Sequence, residues 1–175
     1  MINILDKTFV PFISRSSIES RIAELADMIC KDYEGRNPVF IVVLNGAFLF
    51  AGELVKNISL TCEITFIRFS SYSQTESTGN VRQIIGMEES IENRDIIIIE
   101  DIVDTGLTMA HLLKQIQDLS PKSVEIATLL HKPEALQTPI DMRYVGFEID
   151  NKFVVGYGLD YDGIGRNLDS LYVLA

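Results

Sequence analysis

Three carboxylates fall within five residues at Glu100, Asp101 and Asp104, directly after the apolar run Ile96-Ile97-Ile98-Ile99 and directly before Thr105-Gly106-Leu107-Thr108. In an open α/β sheet, ligands sit beyond the carboxyl ends of the strands, and packing alone gives no reason to crowd acids there. The two threonines supply hydroxyls, Gly106 permits close backbone approach, and a helix start leaves free N–H groups. All of these suit a phosphate. Acids beside an anion cradle make sense if the acids grip sugar hydroxyls or a divalent cation while the loop holds a phosphate, because hard oxygen ligands select Mg²⁺. The bland alternative, an acidic helix N-terminus favoured by the helix dipole, is the weaker reading.

An apolar strand must deliver these acids and a helix must follow them. Ile96–Ile99 lacks the polar–apolar alternation of a half-exposed strand, which fits a central parallel strand covered by helices on both sides. After Thr105-Gly106, the pattern of Leu112, Leu113, Ile116 and Leu119 predicts a helix with these residues on its inner face. Ser120-Pro121-Lys122-Ser123 then turns the chain into a strand over Val124–Leu130, completing a βαβ unit. Val39–Leu44 reads as another strand buried on both faces, followed by a turn at Asn45-Gly46 and a helix through Val55. Nearer the start, Ser16-Ser17-Ile18-Glu19 has the form of a capping box. Ile18, Ile22, Leu25, Ala26 and Ile29 continue at helical spacing to about Asp32.

Glu63–Phe69 reads as a strand in which Ile64, Phe66 and Arg68 point opposite to Thr65, Ile67 and Phe69. It runs into the polar segment Ser70–Asn80, which fits a solvated hairpin tip or a lid. Tyr144–Ile149 and Phe153–Tyr157, separated by Asp150-Asn151, are strand-like and fit either a small hood or an addition to the sheet edge.

Composition bounds the function. With 175 residues and 47% of them hydrophobic, the chain is expected to form one domain with a sizeable core. The formal charge of −10 argues against sequence-independent nucleic-acid binding, so any phosphate must be held by local groups. Cys30 and Cys62 lack metal-type spacing and read as reduced core thiols. No apolar run approaches the ~18–20 residues of a membrane span, and Met1–Val10 lacks a leader pattern, so no membrane association and a cytoplasmic location are expected.

The strand-acid-acid-loop segment resembles the type I phosphoribosyltransferases, whose motif is an apolar strand, two acids, two apolar residues and Asp-Thr-Gly. The likeness spans roughly Phe12 to Val173 and is closest to the hypoxanthine-guanine branch. It includes Leu44-Asn45-Gly46-Ala47, Ser71-Tyr72 with Ser77-Thr78-Gly79, Leu130-His131-Lys132, Val145-Gly146-Phe147-Glu148, Lys152 to Tyr157, and Leu159-Asp160-Tyr161. The resemblance implies an α/β fold with a central parallel sheet flanked by helices. The core would lie at about 35–140, with a small hood built from the chain ends at about 1–15 and 145–175.

It also implies an activity: Mg²⁺-dependent transfer of a 5-phosphoribosyl group from phosphoribosyl pyrophosphate to a 6-oxopurine. By this likeness Glu100 and Asp101 hold the ribose hydroxyls, directly or through Mg²⁺, while the Asp104–Thr108 loop, including Leu107, cradles the 5′-phosphate. Asp104 assists proton movement at purine N7. Lys132 meets the purine O6, Phe153 stacks on the base, and Val154 binds the base edge through its backbone. Asp160 lies near both a second Mg²⁺ and the pocket; Arg166, Asn45, Gly46, Ser71 and Tyr72 serve the pyrophosphate. Family members often have a non-proline cis peptide at the Asn45-Gly46 turn. Two positions depart from the common pattern. Asn45 stands where lysine is frequent, which removes a positive charge and implies greater metal dependence, and Leu107 replaces a lysine of some relatives. The likeness further implies a homodimer or homotetramer.

Two other readings remain open. A non-catalytic regulator could bind phosphoribosyl pyrophosphate as a signal, although it would need no base pocket. A related transferase could act on xanthine, adenine or a pyrimidine, although Lys132 disfavours adenine and the Phe153 region disfavours pyrimidines.

Overall fold

The computed structural model describes residues 1–70, 82–85 and 90–175. Strands β1 (Ile2–Ile4) and β2 (Lys7–Ile13) form an antiparallel hairpin, after which helix α1 (Arg15–Asp32) begins. Ser14 is the N-cap of α1, and its side chain accepts a hydrogen bond from the Ser17 backbone at 3.2 Å. The start therefore lies two residues before the capping box expected at Ser16. Glu19 does not reach back to a cap but pairs with Arg15 at 2.6 Å. The apolar stripe holds as expected: Ile18, Ile22, Leu25, Ala26 and Ile29 are all fully buried.

Strand β3 (Val39–Leu44), helix α2 (Phe48–Asn57), strand β4 (Glu63–Ser70) and the short β5 (Arg82–Ile85) follow. Next come β6 (Asp95–Val103), helix α3 (Leu107–Gln117), β7 (Ser123–His131), a single 3-10 turn (Pro133–Ala135) and β8 (Tyr144–Glu148). Five of these strands form a parallel sheet in the order β4-β3-β6-β7-β8, with β5 added antiparallel to β4. The acid-bearing strand β6 thus has parallel neighbours on both sides. Of the two roles open to Tyr144–Ile149, the structure assigns the sheet edge. There Arg21 of α1 donates to the carbonyls of Val145 (2.8 Å) and Gly146 (2.9 Å), which satisfies exposed acceptors of an edge strand.

The absence of alternation in β3 and β6 has a direct cause. Phe40, Val42, Ile97 and Ile99 pack under α1 and α2, while Val39, Ile41, Val43, Ile96 and Ile98 pack with Met109, Leu112 and Ile116 on the α3 face. Each such side chain contributes roughly 1.5–3 kcal/mol by leaving water, so a polar residue on either face would be strongly unfavourable. Leu119, expected on the inner face of α3, lies beyond the last helical turn and is exposed. Cys30 and Cys62 are free thiols, and both are only partly buried.

Strands β9 (Val154–Val155) and β10 (Leu171–Leu174) join the first hairpin in a second, antiparallel sheet ordered β1-β2-β10-β9. Both ends of the chain build this hood. It has its own small core of Ile4, Phe9 and Val155.

Candidate active site

Parallel strands end together, so β3, β6 and β7 bring Asn45-Gly46, Glu100-Asp101 and Lys132 to one edge of the sheet. Glu100 is buried, and its Oε1 accepts from the Asp101 backbone N–H at 3.2 Å; Asp101 Oδ1 accepts from Ile102 N–H at 2.9 Å. Burial pushes the Glu100 carboxyl well above its ordinary range, and the neighbouring Asp101 charge adds to the effect. Burial likewise raises Asp101, against the opposing pull of hydrogen bonds and of the Arg166 charge. Two adjacent desolvated carboxylates are stable as anions only if a cation or hydroxyl donors answer them.

This predicts a measurable cost. Folding favours neutral Glu100, so the penalty appears as pH rises above the ordinary glutamate value of ~4.3 and is full once pH exceeds the raised folded value. Glu100→Gln removes it. In ligand-free protein with a chelator present, the variant is expected to melt ~2–4 °C higher than the parent at pH 8 and with a smaller gain at pH 5.

The loop after β6 forms the wall of a cavity of about 100 Å³, lined by Glu100, Asp104, Thr105, Gly106 and Thr108 with Ile102, Val103 and Met109. Gly106 is the N-cap of α3 at φ +79°, a left-handed conformation that disfavours a side chain. A Cβ there would also stand 2.9 Å from both Leu136 Cδ1 and the Thr138 carbonyl. The Thr105 carbonyl accepts from Gln137 N–H (2.9 Å) and Thr138 N–H (3.3 Å), which ties the loop to the segment after β7. The N-cap residue Gly106 has no side chain to cap α3, and Leu107 N–H meets only Thr105 Oγ1, at 3.5 Å, so the helix start beside the cavity has N–H groups to offer an anion. Leu107 is exposed, which leaves its backbone as the part directed to the loop.

Lys132 follows the last residue of β7. Its backbone N–H donates to the Val103 carbonyl at 3.0 Å, and its Nζ donates to Asp104 Oδ2 at 2.7 Å. The lysine side chain is only 8% exposed and the aspartate 43%, so the pair presents its carboxylate end to solvent and the cavity. Sequence separation hid this contact, which joins two strand ends 28 residues apart.

The Leu44–Asn45 peptide is cis, and Asn45 is exposed. Gly46 packs against Asp101 so closely that a Cβ would overlap the carboxylate, and Gly158 of the hood packs just as closely against the Gly46 carbonyl. Asp160 accepts from Arg166 Nη2 at 2.6 Å and from Gly163 N–H at 2.7 Å; Arg166 also donates to the Gly158 carbonyl at 2.8 Å. Asp160 and Arg166 therefore sit on the hood loop that rests on the Gly46 turn. Among the described residues, no three acid, histidine or cysteine side chains converge as a metal cage. Phe153 is 45% exposed just before β9, the hood's edge strand, while Val154 is buried and paired with Val173. Ser71 and Tyr72 lie outside the described residues.

Sequence reasoning missed Gly158, whose close approach locks hood to sheet, and the aromatic neighbours of Phe153. Only the glycine itself and its place before Leu159-Asp160-Tyr161 could have pointed to the former.

Comparison with known proteins agrees with this geometry. Residues 14–162 match the phosphoribosyl transferase domain family. A hypoxanthine-guanine phosphoribosyltransferase of Mycobacterium tuberculosis is 40% identical over 169 residues, covering 93% of this chain and 84% of that one. One from Streptococcus thermophilus is 42% identical over 162 residues, covering 92% and 90%. The crystal structure of a hypoxanthine phosphoribosyltransferase from Staphylococcus aureus superposes with a TM-score of 0.91 at 38% identity, covering 100% of this chain and 97% of that one. The likeness thus extends over nearly the whole chain, which belongs to the phosphoribosyltransferase family, in its hypoxanthine-guanine branch.

Proposed function

We propose that the chain transfers the 5-phosphoribosyl group of phosphoribosyl pyrophosphate to hypoxanthine and also guanine, with Mg²⁺, giving IMP or GMP and pyrophosphate in purine salvage. The observation that carries this reading is the meeting, at one sheet edge, of a buried acid pair, a glycine-capped helix start lining a cavity, and the Lys132–Asp104 pair.

The 5′-phosphate would lie against the N–H groups and hydroxyls of Thr105–Thr108, which places the ribose over Glu100 and Asp101. Those acids would accept hydrogen bonds from the ribose hydroxyls or bind the cation. The donor set fits Mg²⁺, which is bound by one or two carboxylates plus substrate oxygens rather than by an all-protein cage. When bound, Mg²⁺ neutralises charge on the leaving pyrophosphate. Asn45 is uncharged and Arg166 is already paired with Asp160, so neither of these two positions offers a free charge for that task, which raises dependence on the metal.

Purine N9 attacks the anomeric carbon as the bond to pyrophosphate breaks, and the N7 proton passes to Asp104. The neighbouring Lys132 would donate to the purine O6, which favours 6-oxopurines over adenine, whose amino group cannot accept. Phe153 would supply a face for the base and Val154 backbone groups for its edge. A cytoplasmic homodimer or homotetramer completes the proposal. Its support is the branch relationship; among the described residues, no helix is long and apolar enough to cross a membrane.

Incubating the protein with phosphoribosyl pyrophosphate, Mg²⁺ and each of hypoxanthine, guanine, xanthine and adenine tests the reading directly. Nucleotide should form from the first two and not from adenine. Failure with every purine would favour a non-catalytic sensor.

A further inference from the structure

Phe153 directly precedes β9, the edge strand of the hood, with nearly half its surface exposed, yet its ring is held on several sides. Phe9 of β2, fully buried, lies 6.2 Å from it between centroids, and Tyr161 meets it edge-on at 5.9 Å. Phe9 and Tyr161 are themselves 6.3 Å apart, so the three rings form one cluster. Tyr161 is in turn held by the turn between β1 and β2. Its hydroxyl donates to Asp6 Oδ1 at 2.8 Å, and Lys7 Nζ stands 4.7 Å from the Tyr161 centroid and 6.0 Å from that of Phe153. The hydrogen bond lowers the Asp6 carboxyl and raises the Tyr161 phenol, so it persists across the neutral range. Contacts as exposed as these add little to global stability. What they restrict is the orientation of Tyr161 and, through its edge, that of Phe153.

We propose that Asp6 of the first turn, Lys7 at the start of β2 and Tyr161 are positioning residues for Phe153, so that the first hairpin of the chain sets affinity for the purine base without affecting the sugar phosphate. The inference rests on the reading of Phe153 as the face on which the base stacks. The Glu100-Asp101 pair and the Thr105–Thr108 loop stand on β6 and α3, and among the described residues neither makes a hydrogen bond or ion pair with Asp6, Lys7 or Tyr161, which is why the two affinities should separate.

The test is steady-state kinetics on the full chain with hypoxanthine varied at saturating phosphoribosyl pyrophosphate and Mg²⁺, and the converse. Phe153→Leu should raise KM for hypoxanthine about ten-fold or more. Tyr161→Phe, which keeps the ring, and Asp6→Ala should each raise it about three- to five-fold, with kcat and KM for phosphoribosyl pyrophosphate unchanged. Because both remove the same hydrogen bond, the double variant should be no worse than the more affected single one. If Phe153→Leu raises the base KM and the other two leave it unchanged, or move both KM values together, the positioning role is overturned while base stacking stands. If Phe153→Leu itself leaves the base KM unchanged, the stacking reading fails and the positioning role with it.

Discussion

Asp104→Asn is expected to lower kcat by about 10²–10⁴-fold while leaving binding of phosphoribosyl pyrophosphate within a few-fold of the parent. The amide keeps an acceptor for Lys132 Nζ, which Asp104 Oδ2 meets at 2.7 Å, so the fold and the loop are preserved. What it loses is the capacity to take a proton from the base. Asp104→Ala makes a poorer probe, because it also strands the ammonium of Lys132, whose side chain is 8% exposed. Breaking a buried pair costs ~3–5 kcal/mol, and the 43% exposure of Asp104 reduces that figure without removing it. Single-turnover rates, together with titration calorimetry of the sugar phosphate, separate the two effects. An Asn variant with near-parental turnover would remove Asp104 from the proton transfer.

Gly46→Ala should be nearly as damaging, for a purely geometric reason. A methyl at position 46 overlaps Asp101, so either the carboxylate turns away from the ribose position or the turn moves. Either response also reaches the hood, because Gly158 packs on the Gly46 carbonyl. A displacement near 1 Å in a positioned group costs roughly 10²-fold in rate, and kcat/KM for phosphoribosyl pyrophosphate should fall by about that factor. The core strands on either side are untouched, so the melting temperature should change little. A variant with parental kcat/KM would show that Asp101 does not need its position beside the turn.

Both predictions draw on one feature of the architecture. The proposed catalytic edge is a junction in which the sheet supplies acids and the Thr105–Thr108 loop, while the hood, built from both chain ends, supplies an aromatic face and the Asp160–Arg166 pair. Close glycine contacts hold the junction together, so small substitutions there act on chemistry more than on stability. The Glu100 substitution runs the other way, exchanging function for stability, since the buried acid pair is unfavourable until a ligand answers its charge.

Much of this was readable from residue order. The run Ile96–Ile99 could only be a doubly covered strand, and acids followed by Asp-Thr-Gly could only stand at its carboxyl end, because period and punctuation act over a few neighbouring residues. The limits of helices were less readable, since the Ser16 capping box is passed over and Ser14, directly after β2, caps α1 instead. Long-range contacts were not readable at all. The pairing of Lys132 with Asp104, the seating of Gly46 on Asp101, and the reach of Asp6 to Tyr161 across 155 residues depend on how strand ends and hood converge. The sequence by itself determined which groups are candidates for the chemistry and on which strand ends they stand. Tertiary structure alone decided their mutual distances, because those are set by packing between segments that share no local pattern.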